Sequence, residues 1–173
     1  MKKLLLGICL LWTTLSYGQI EFVIAEDGLS PKTISAEMSA FNSSQLYTKT
    51  MGWIEENSET YNLSVEHVVK NTSIQISFLK RNATTLDKQF YNIGYQVKIS
   101  FEDGKYTFEP TEIRLKLNSK YDMGWTNFDL NDASLYFKKG KPLRKYKSYL
   151  ENIPKALNQL QMKLISYLKS GDN

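Results

Sequence analysis

One cysteine and one histidine in 173 residues leave this chain almost without the side chains of metal and nucleophile chemistry. Zinc sites and thiol catalysis need such residues in clusters, so the sequence predicts neither. The single cysteine, Cys9, sits in an N-terminal apolar segment and has no second thiol to pair with, which excludes a disulfide framework. Only 4 Pro and 9 Gly are present, which excludes collagen-like and low-complexity classes. The N-terminal apolar run is about half the ~20 residues that a membrane-spanning helix needs. The balance of 22 Lys+Arg against 18 Asp+Glu, +4, lacks the excess of a dedicated nucleic-acid binder. Glycine-rich phosphate loops and nucleophile elbows are missing too. The sequence therefore predicts no enzymatic activity, no cofactor and no nucleic-acid partner.

What is present begins with a targeting segment. Lys2 and Lys3 precede the apolar run Leu4 to Leu11, and Ser16-Tyr17-Gly18 places small residues where a signal peptidase reads. The expectation is a signal peptide over residues 1–18, cleaved after Gly18, and a mature chain of residues 19–173 that is periplasmic or secreted. Cys9 follows Ile8 inside the apolar run and not at its end, so lipidation is not expected. Once the leader is removed, no transmembrane helix is expected. A chain of this length forms one domain that buries roughly two thirds of its unfolded surface without covalent staples.

Patterning supplies the fold class. Ile20 to Ala25 is a short apolar run closed by Glu26-Asp27-Gly28, a strand followed by a turn. From Ser43 or Ser44 to Asn57, Leu46, Tyr47, Trp53 and Ile54 recur at helical spacing. Two hairpins follow. Asn71-Thr72 is read as a two-residue loop setting Val69 opposite Ile74, His67 opposite Ile76 and Val65 opposite Phe78. Asp103-Gly104 pairs Glu102 with Lys105, and the apolar phase slips once near Glu109-Pro110-Thr111, which predicts a β-bulge there. Asn118 to Phe137 reads as a packed loop with room for a short strand at its end. From Leu143 the seam Tyr146, Leu150, Ile153, Leu157, Leu160, Leu164, Leu168 is helical, with Pro154 expected to open a second helix capped by Asn152. Grouped antiparallel strands with helices on one face give an α+β two-layer sandwich with a long C-terminal helix lying across a curved antiparallel sheet. The seam is also compatible with a coiled coil, but packing on the sheet accounts for it, so a monomer is expected.

That order, with Gly28-Leu29-Ser30, Leu46-Tyr47 and Gly52-Trp53-Ile54, resembles a family of exported bacterial domains of unknown function. The family is described as having a TATA-binding-protein-like (TBP-like) fold. The resemblance covers about residues 22–117, leaving about 143–169 as a C-terminal helical extension. It implies the fold and export; it supplies no catalytic residues, and the fold's name implies no DNA binding.

Three groups of residues remain as candidates. His67 lacks an orienting partner, because its neighbour Glu66 on a strand faces the other way, so it is read as an edge or core residue and not as a general base. Asp122, Asp129 and Asp132 lack the alternating ligand spacing of a calcium loop, so no metal site is expected. The charge is unevenly distributed. Residues 138–169 hold nine basic side chains and one acid, Glu151, whereas the rest of residues 19–173 holds eleven basic and seventeen acidic. Lys138, Lys139, Lys141, Arg144, Lys145 and Lys147 fall within ten positions and form a candidate patch for an anionic lipid surface or an acidic envelope partner, with the first three on a mobile connection before Pro142. The leading expectation is a non-enzymatic exported binding or envelope-interaction module. The alternative is a carrier of a small apolar ligand between sheet and C-terminal helix, with Tyr91, Tyr95, Phe101 and Trp125 as its wall.

Overall fold

The computed structural model of the protein describes residues 20–121 and 124–170; the leader with Cys9 and the cleavage position, and Asp122, lie outside them. The N-terminal apolar run gives strand β1 (Val23–Ala25), which the turn at Glu26-Asp27 folds onto β2 (Gly28–Ser30). Next comes β3 (Ile34–Glu37), which the sequence conceals because Ile34 is its one buried apolar residue. Helix α1 (Ser43–Tyr61) begins at Ser43, one of the two expected starts, and runs past the expected end at Asn57, with a cap at each end. The Asn42 side chain accepts from the Gln45 N–H at 2.9 Å and the Gln45 side chain accepts from the Asn42 N–H at 2.9 Å, a reciprocal box that satisfies two otherwise orphaned donors. Asn62, at φ 51, closes the other end.

Four long strands follow: β4 (Leu63–Val69), β5 (Ser73–Leu86), β6 (Gln89–Glu102) and β7 (Lys105–Leu117). With β3 and β8 (Thr126–Phe128) they make a six-stranded antiparallel sheet ordered β3-β7-β6-β5-β4, in which β8 pairs with β7. The Asp103-Gly104 turn pairs Glu102 with Lys105, and Thr111 is the extra residue between the pairs Val97–Pro110 and Gln96–Glu112. Both features match the sequence reading. The first hairpin does not. Val69 pairs with Ser73 across a three-residue loop whose Asn71 has φ 59, and a second irregularity at Glu66 re-phases β4. Val65 therefore pairs with Ile76, and His67 with Gln75. A further two-residue turn at Asp87-Lys88, both at positive φ, joins β5 to β6.

The chain then forms a short 3-10 turn (Ser134–Tyr136), a tight hairpin of β9 (Phe137–Lys138) and β10 (Lys141–Pro142), and a second 3-10 turn (Arg144–Tyr146). Of the stretch expected to be loop, Asn118 to Phe137, these and β8 take up only residues 126–128 and 134–137. The final helix, α2 (Lys147–Ser170), is one continuous element; Pro154 lies inside it and does not start a new helix. A proline in the third turn forfeits one intrahelical N–H, and the packing of the flanking turns carries the helix through it. Leu150, Ile153, Leu157, Leu160, Leu164 and Leu168 are all buried, so the seam is consumed within the chain's own core.

Both helices lie on the same face of the sheet. The face they cover presents Ile74, Ile76, Phe78, Ile93, Tyr95, Val97, Ile99, Tyr106, Phe108 and Ile113, all buried. The residues between them in sequence, such as Gln75, Ser77, Gln96, Lys98 and Thr107, form a polar outer face. The architecture is the α+β two-layer sandwich that the patterning predicts, with the long helix on the sheet.

Candidate functional site

The basic segment is held on an ordered frame. Lys139 and Gly140, at φ 53 and 73, are the two central residues of a hairpin that sets Lys138 opposite Lys141. Left-handed backbone at both positions is what a two-residue turn of this twist requires. The Leu143 N–H closes the hairpin onto the Tyr136 carbonyl at 2.9 Å, and the Tyr146 N–H bonds the Leu143 carbonyl at 2.9 Å. Lys138, Lys139 and Lys141 thus stand on a hairpin and not on an open connection.

Beneath the hairpin is an aromatic cluster. Tyr136 stacks on Phe128 with centroids 5.5 Å apart and meets Tyr146 edge-on at 4.9 Å, while Tyr149 contacts Tyr136, Tyr146 and Phe128. Burial pushes the Tyr149 and Tyr136 hydroxyls above the ordinary phenol range, and neighbouring tyrosines add to it. The cluster anchors the hairpin to the start of α2.

All six basic side chains are exposed. Lys145 lies over the Tyr146 ring at 4.6 Å, and Lys147 pairs with Glu151 at 3.8 Å, one turn on. The first turn of α2 has no acid to meet the positive end of the helix dipole. The result is a concentrated positive surface that little else in the chain neutralises.

The other candidates are dispersed. His67 is exposed on the edge strand, and no described side chain hydrogen-bonds to it, while Glu66 accepts a hydrogen bond from Ser77. Asp129 and Asp132 are used in turns, accepting from the backbone N–H groups of Asn131 and Ser134 at 2.8 Å each. The Ser134 side chain first, and its backbone N–H second, hold the Asp132 carboxyl below its usual range by hydrogen bonding. Among the described residues no group of three or more His, Cys, Asp or Glu converges as a metal site, and no helix is long and apolar enough to cross a membrane.

The four proposed wall residues do not line one pocket together, although Tyr95 and Trp125 both border an open recess of 190 Å³. Tyr95 is core, stacked on Phe78 at 4.4 Å with its hydroxyl donating to the Ile153 carbonyl at 2.9 Å. Phe101 meets Tyr47 edge-on, and Tyr91 meets Tyr149. Trp125 is on the other side of the sheet, packed over Gly94. Between β5 and α2 the side chains fill the interface and leave about 80 Å³ near Phe78, Ala156 and Leu160. That is below the roughly 300–1,000 Å³ of small-molecule sites, so the carrier site expected there is filled.

The larger recess lies along the outer flank of α2, and the sequence reading missed it. One part, of 390 Å³, is lined by Pro142, Arg144, Lys147, Leu150 and Glu151. A second, of 560 Å³, shares Pro142, Leu150 and Glu151 and continues along Pro154 and Met162, with Phe22, Val23 and Ile24 as the opposite wall. The signal in α2 was the helical spacing of Leu150, Pro154 and Met162, of which only Met162 is exposed. The opposite wall, however, arrives from the far end of the chain.

Comparison with known proteins follows the same outline. Residues 33–116 match the family model described as a domain of unknown function (DUF4468) with TBP-like fold. A crystallised DUF4468 family protein from Bacteroides ovatus is similar over 80% of this chain and 82% of its own, at 11% identity and a TM-score of 0.53. A crystallised TBP-like protein from Parabacteroides distasonis is similar over 79% and 90%, at 15% identity and a TM-score of 0.58. No protein of curated function matches the sequence. The structural likeness is longer than the family match, so part of the N-terminal hairpin, the basic region or α2 is shared as well. Residues 33–116, which hold β3, α1 and nearly all of the four long strands of the sheet, are thus similar to the DUF4468 family of unknown function, and the fold is TBP-like.

Proposed function

We propose that this chain is an exported, non-enzymatic binding module whose basic end engages an anionic surface of the bacterial envelope. The observation that carries the reading is the ordered display of Lys138, Lys139, Lys141, Arg144, Lys145 and Lys147 on one hairpin and the adjoining helix start. The signal-peptide pattern of residues 1–18 supports export to the periplasm or beyond. The rigid frame matters because each Lys or Arg near an anionic surface contributes about 1 kcal/mol, and useful affinity needs several to reach it together.

The test is co-sedimentation of residues 19–173 with phosphatidylglycerol vesicles and with phosphatidylcholine vesicles. Binding is expected to the anionic vesicles alone and to fall between low and high salt, since exposed charges are screened beyond about 8 Å at physiological ionic strength. A variant with all six basic residues changed to Gln is expected to stay in the supernatant. If it pellets like the wild type, the basic end is only solvated.

A further inference from the structure

We infer that the groove along α2 binds the chain of a single-tailed anionic amphiphile, with the anionic head at the Arg144–Lys147 end. This rests on the reading of the basic end as an anion-facing surface and adds a ligand class and a site to it. The two parts of the groove adjoin at three shared residues, Pro142, Leu150 and Glu151, and each part is within the size range of small-molecule sites. Its floor is apolar: Leu150, Pro154 and Met162 come from α2, Pro142 from β10, and Val23 from β1. Val23 and Met162 are 53% and 37% exposed, large apolar side chains held open to solvent at a site with no apolar cover among the described residues.

Charge sets the direction. Arg144 and Lys147 line the end nearest the basic hairpin, while Glu21 lines only the farther part. Glu151 borders both parts and is tied to Lys147 at 3.8 Å. Lys155 stands midway on the helical rim. An anionic head is therefore favoured at the first turn of α2 and disfavoured at the Glu21 end. From Lys147 to Met162 the helix advances about 22 Å, at 1.5 Å per residue, enough for an extended alkyl chain. The groove is open along its side, which suits a flexible chain laid down lengthwise better than a rigid ring system.

The same chemistry is offered by a free amphiphile and by a chain drawn from a membrane lipid, and the probes separate them. Dodecyl phosphate below its micelle concentration is titrated into residues 19–173 by calorimetry, alongside inorganic phosphate and dodecyl maltoside. Saturable 1:1 binding of dodecyl phosphate is expected, with inorganic phosphate and the neutral-headed detergent each at least about tenfold weaker. The double variant Val23→Asp/Met162→Asp changes two exposed positions and should fold as wild type by circular dichroism. It is expected to lose dodecyl phosphate binding by about tenfold or more while still pelleting with phosphatidylglycerol vesicles through its basic end. If it also stops pelleting, the chain taken up is that of a membrane lipid. Equal binding of dodecyl phosphate by wild type and double variant would overturn the inference, as would equal binding of phosphate and dodecyl phosphate. Failure of the six-fold Gln variant to lose vesicle binding would overturn the earlier reading instead.

Discussion

Asn158 clasps the backbone of Phe22 from 136 positions away: its Oδ1 accepts from the Phe22 N–H at 2.8 Å and its Nδ2 donates to the Phe22 carbonyl at 2.9 Å. A side-chain amide can replace both hydrogen bonds of a missing neighbouring strand, and here it fastens the chain just before β1 to the middle of α2. Phe22 itself is fully buried, 6.0 Å from the Phe108 ring. The clasp fixes one wall of the groove relative to its floor.

Asn158→Ala is expected to destabilise the fold by about 2 kcal/mol, since each of the two bonds contributes on the order of 1 kcal/mol net. Asn158→Asp keeps the acceptor but turns a carboxylate toward the Phe22 carbonyl, so it should recover none of the loss. Urea unfolding of the three proteins checks both statements. A wild-type midpoint for the alanine variant would mean that water replaces the clasp without cost.

How much of this was legible in the sequence depended on where the deciding atoms come from. Asp103-Gly104, the bulge at Thr111 and the α2 seam are set by residues close in sequence, and they were readable. The turn at Asp87-Lys88 was not, because it puts Lys88 at φ 64, a conformation that lysine's own preferences do not announce. The Asn71 hairpin was misread by one position, since loops of two and three residues differ only in how the edge strand is then re-phased. Pro154 looked like a helix start because local chemistry favours that position, whereas burial on both sides outweighs it. The basic patch was visible as a string of charges, but the apolar groove beside it needs Val23 and Met162 to line one recess, which only the folded chain provides.

Gly28 is the position where a side chain cannot be accommodated. Its φ is 96, and a Cβ there would lie 2.2 Å from the Leu130 carbonyl oxygen and 2.6 Å from its carbon. Those are backbone atoms, and the Leu29 N–H bonds the same oxygen at 2.9 Å, so neither partner can withdraw cheaply. Gly28→Ala is expected to cost about 3 kcal/mol or more, combining strained backbone with overpacking. Gly140→Ala, at φ 73 with open space around it, should cost only about 1–2 kcal/mol. Thermal unfolding of both variants tests the contrast, and equal losses would refute it.

Buried phenols make the fold sensitive to alkali. Burial pushes the Tyr106 hydroxyl up to about 12, against a small opposing effect of its hydrogen bond with Gln161, and it raises Tyr95 and Tyr149 in the same direction. Unfolded tyrosine ionises near pH 10, so above that pH the unfolded chain sheds protons that the folded chain retains. The stability is fully present below pH 10 and is lost as pH rises toward 12, by at most about 1.4 kcal/mol per pH unit for each such tyrosine. Tyr106→Phe should lower stability at neutral pH, because the buried Gln161 amide loses its partner at 3.3 Å, yet flatten the alkaline decline. Urea midpoints measured from pH 8 to pH 12 give the slopes, and parallel slopes would contradict the assignment.

Thr50 offers a change expected to strengthen the fold. It lies on the buried side of α1 with Leu46, Trp53 and Ile54, is fully inaccessible to solvent, and its Oγ1 has no hydrogen-bond partner among the described residues. A buried hydroxyl without a partner has given up its bond to water and gained none, a cost of roughly 1–3 kcal/mol. Thr50→Val keeps the branched shape and replaces the hydroxyl by a methyl, so it should stabilise by about 1 kcal/mol. Thr50→Ser keeps the orphan hydroxyl and removes a buried methyl, so it should destabilise by a similar amount. The opposite signs make the pair decisive, since a role in packing volume alone predicts little change for valine. If thermal unfolding places valine below wild type, the hydroxyl is satisfied in solution, either by water or by rotation onto the Leu46 carbonyl one turn back, and Thr50 belongs to the helix's own hydrogen bonding.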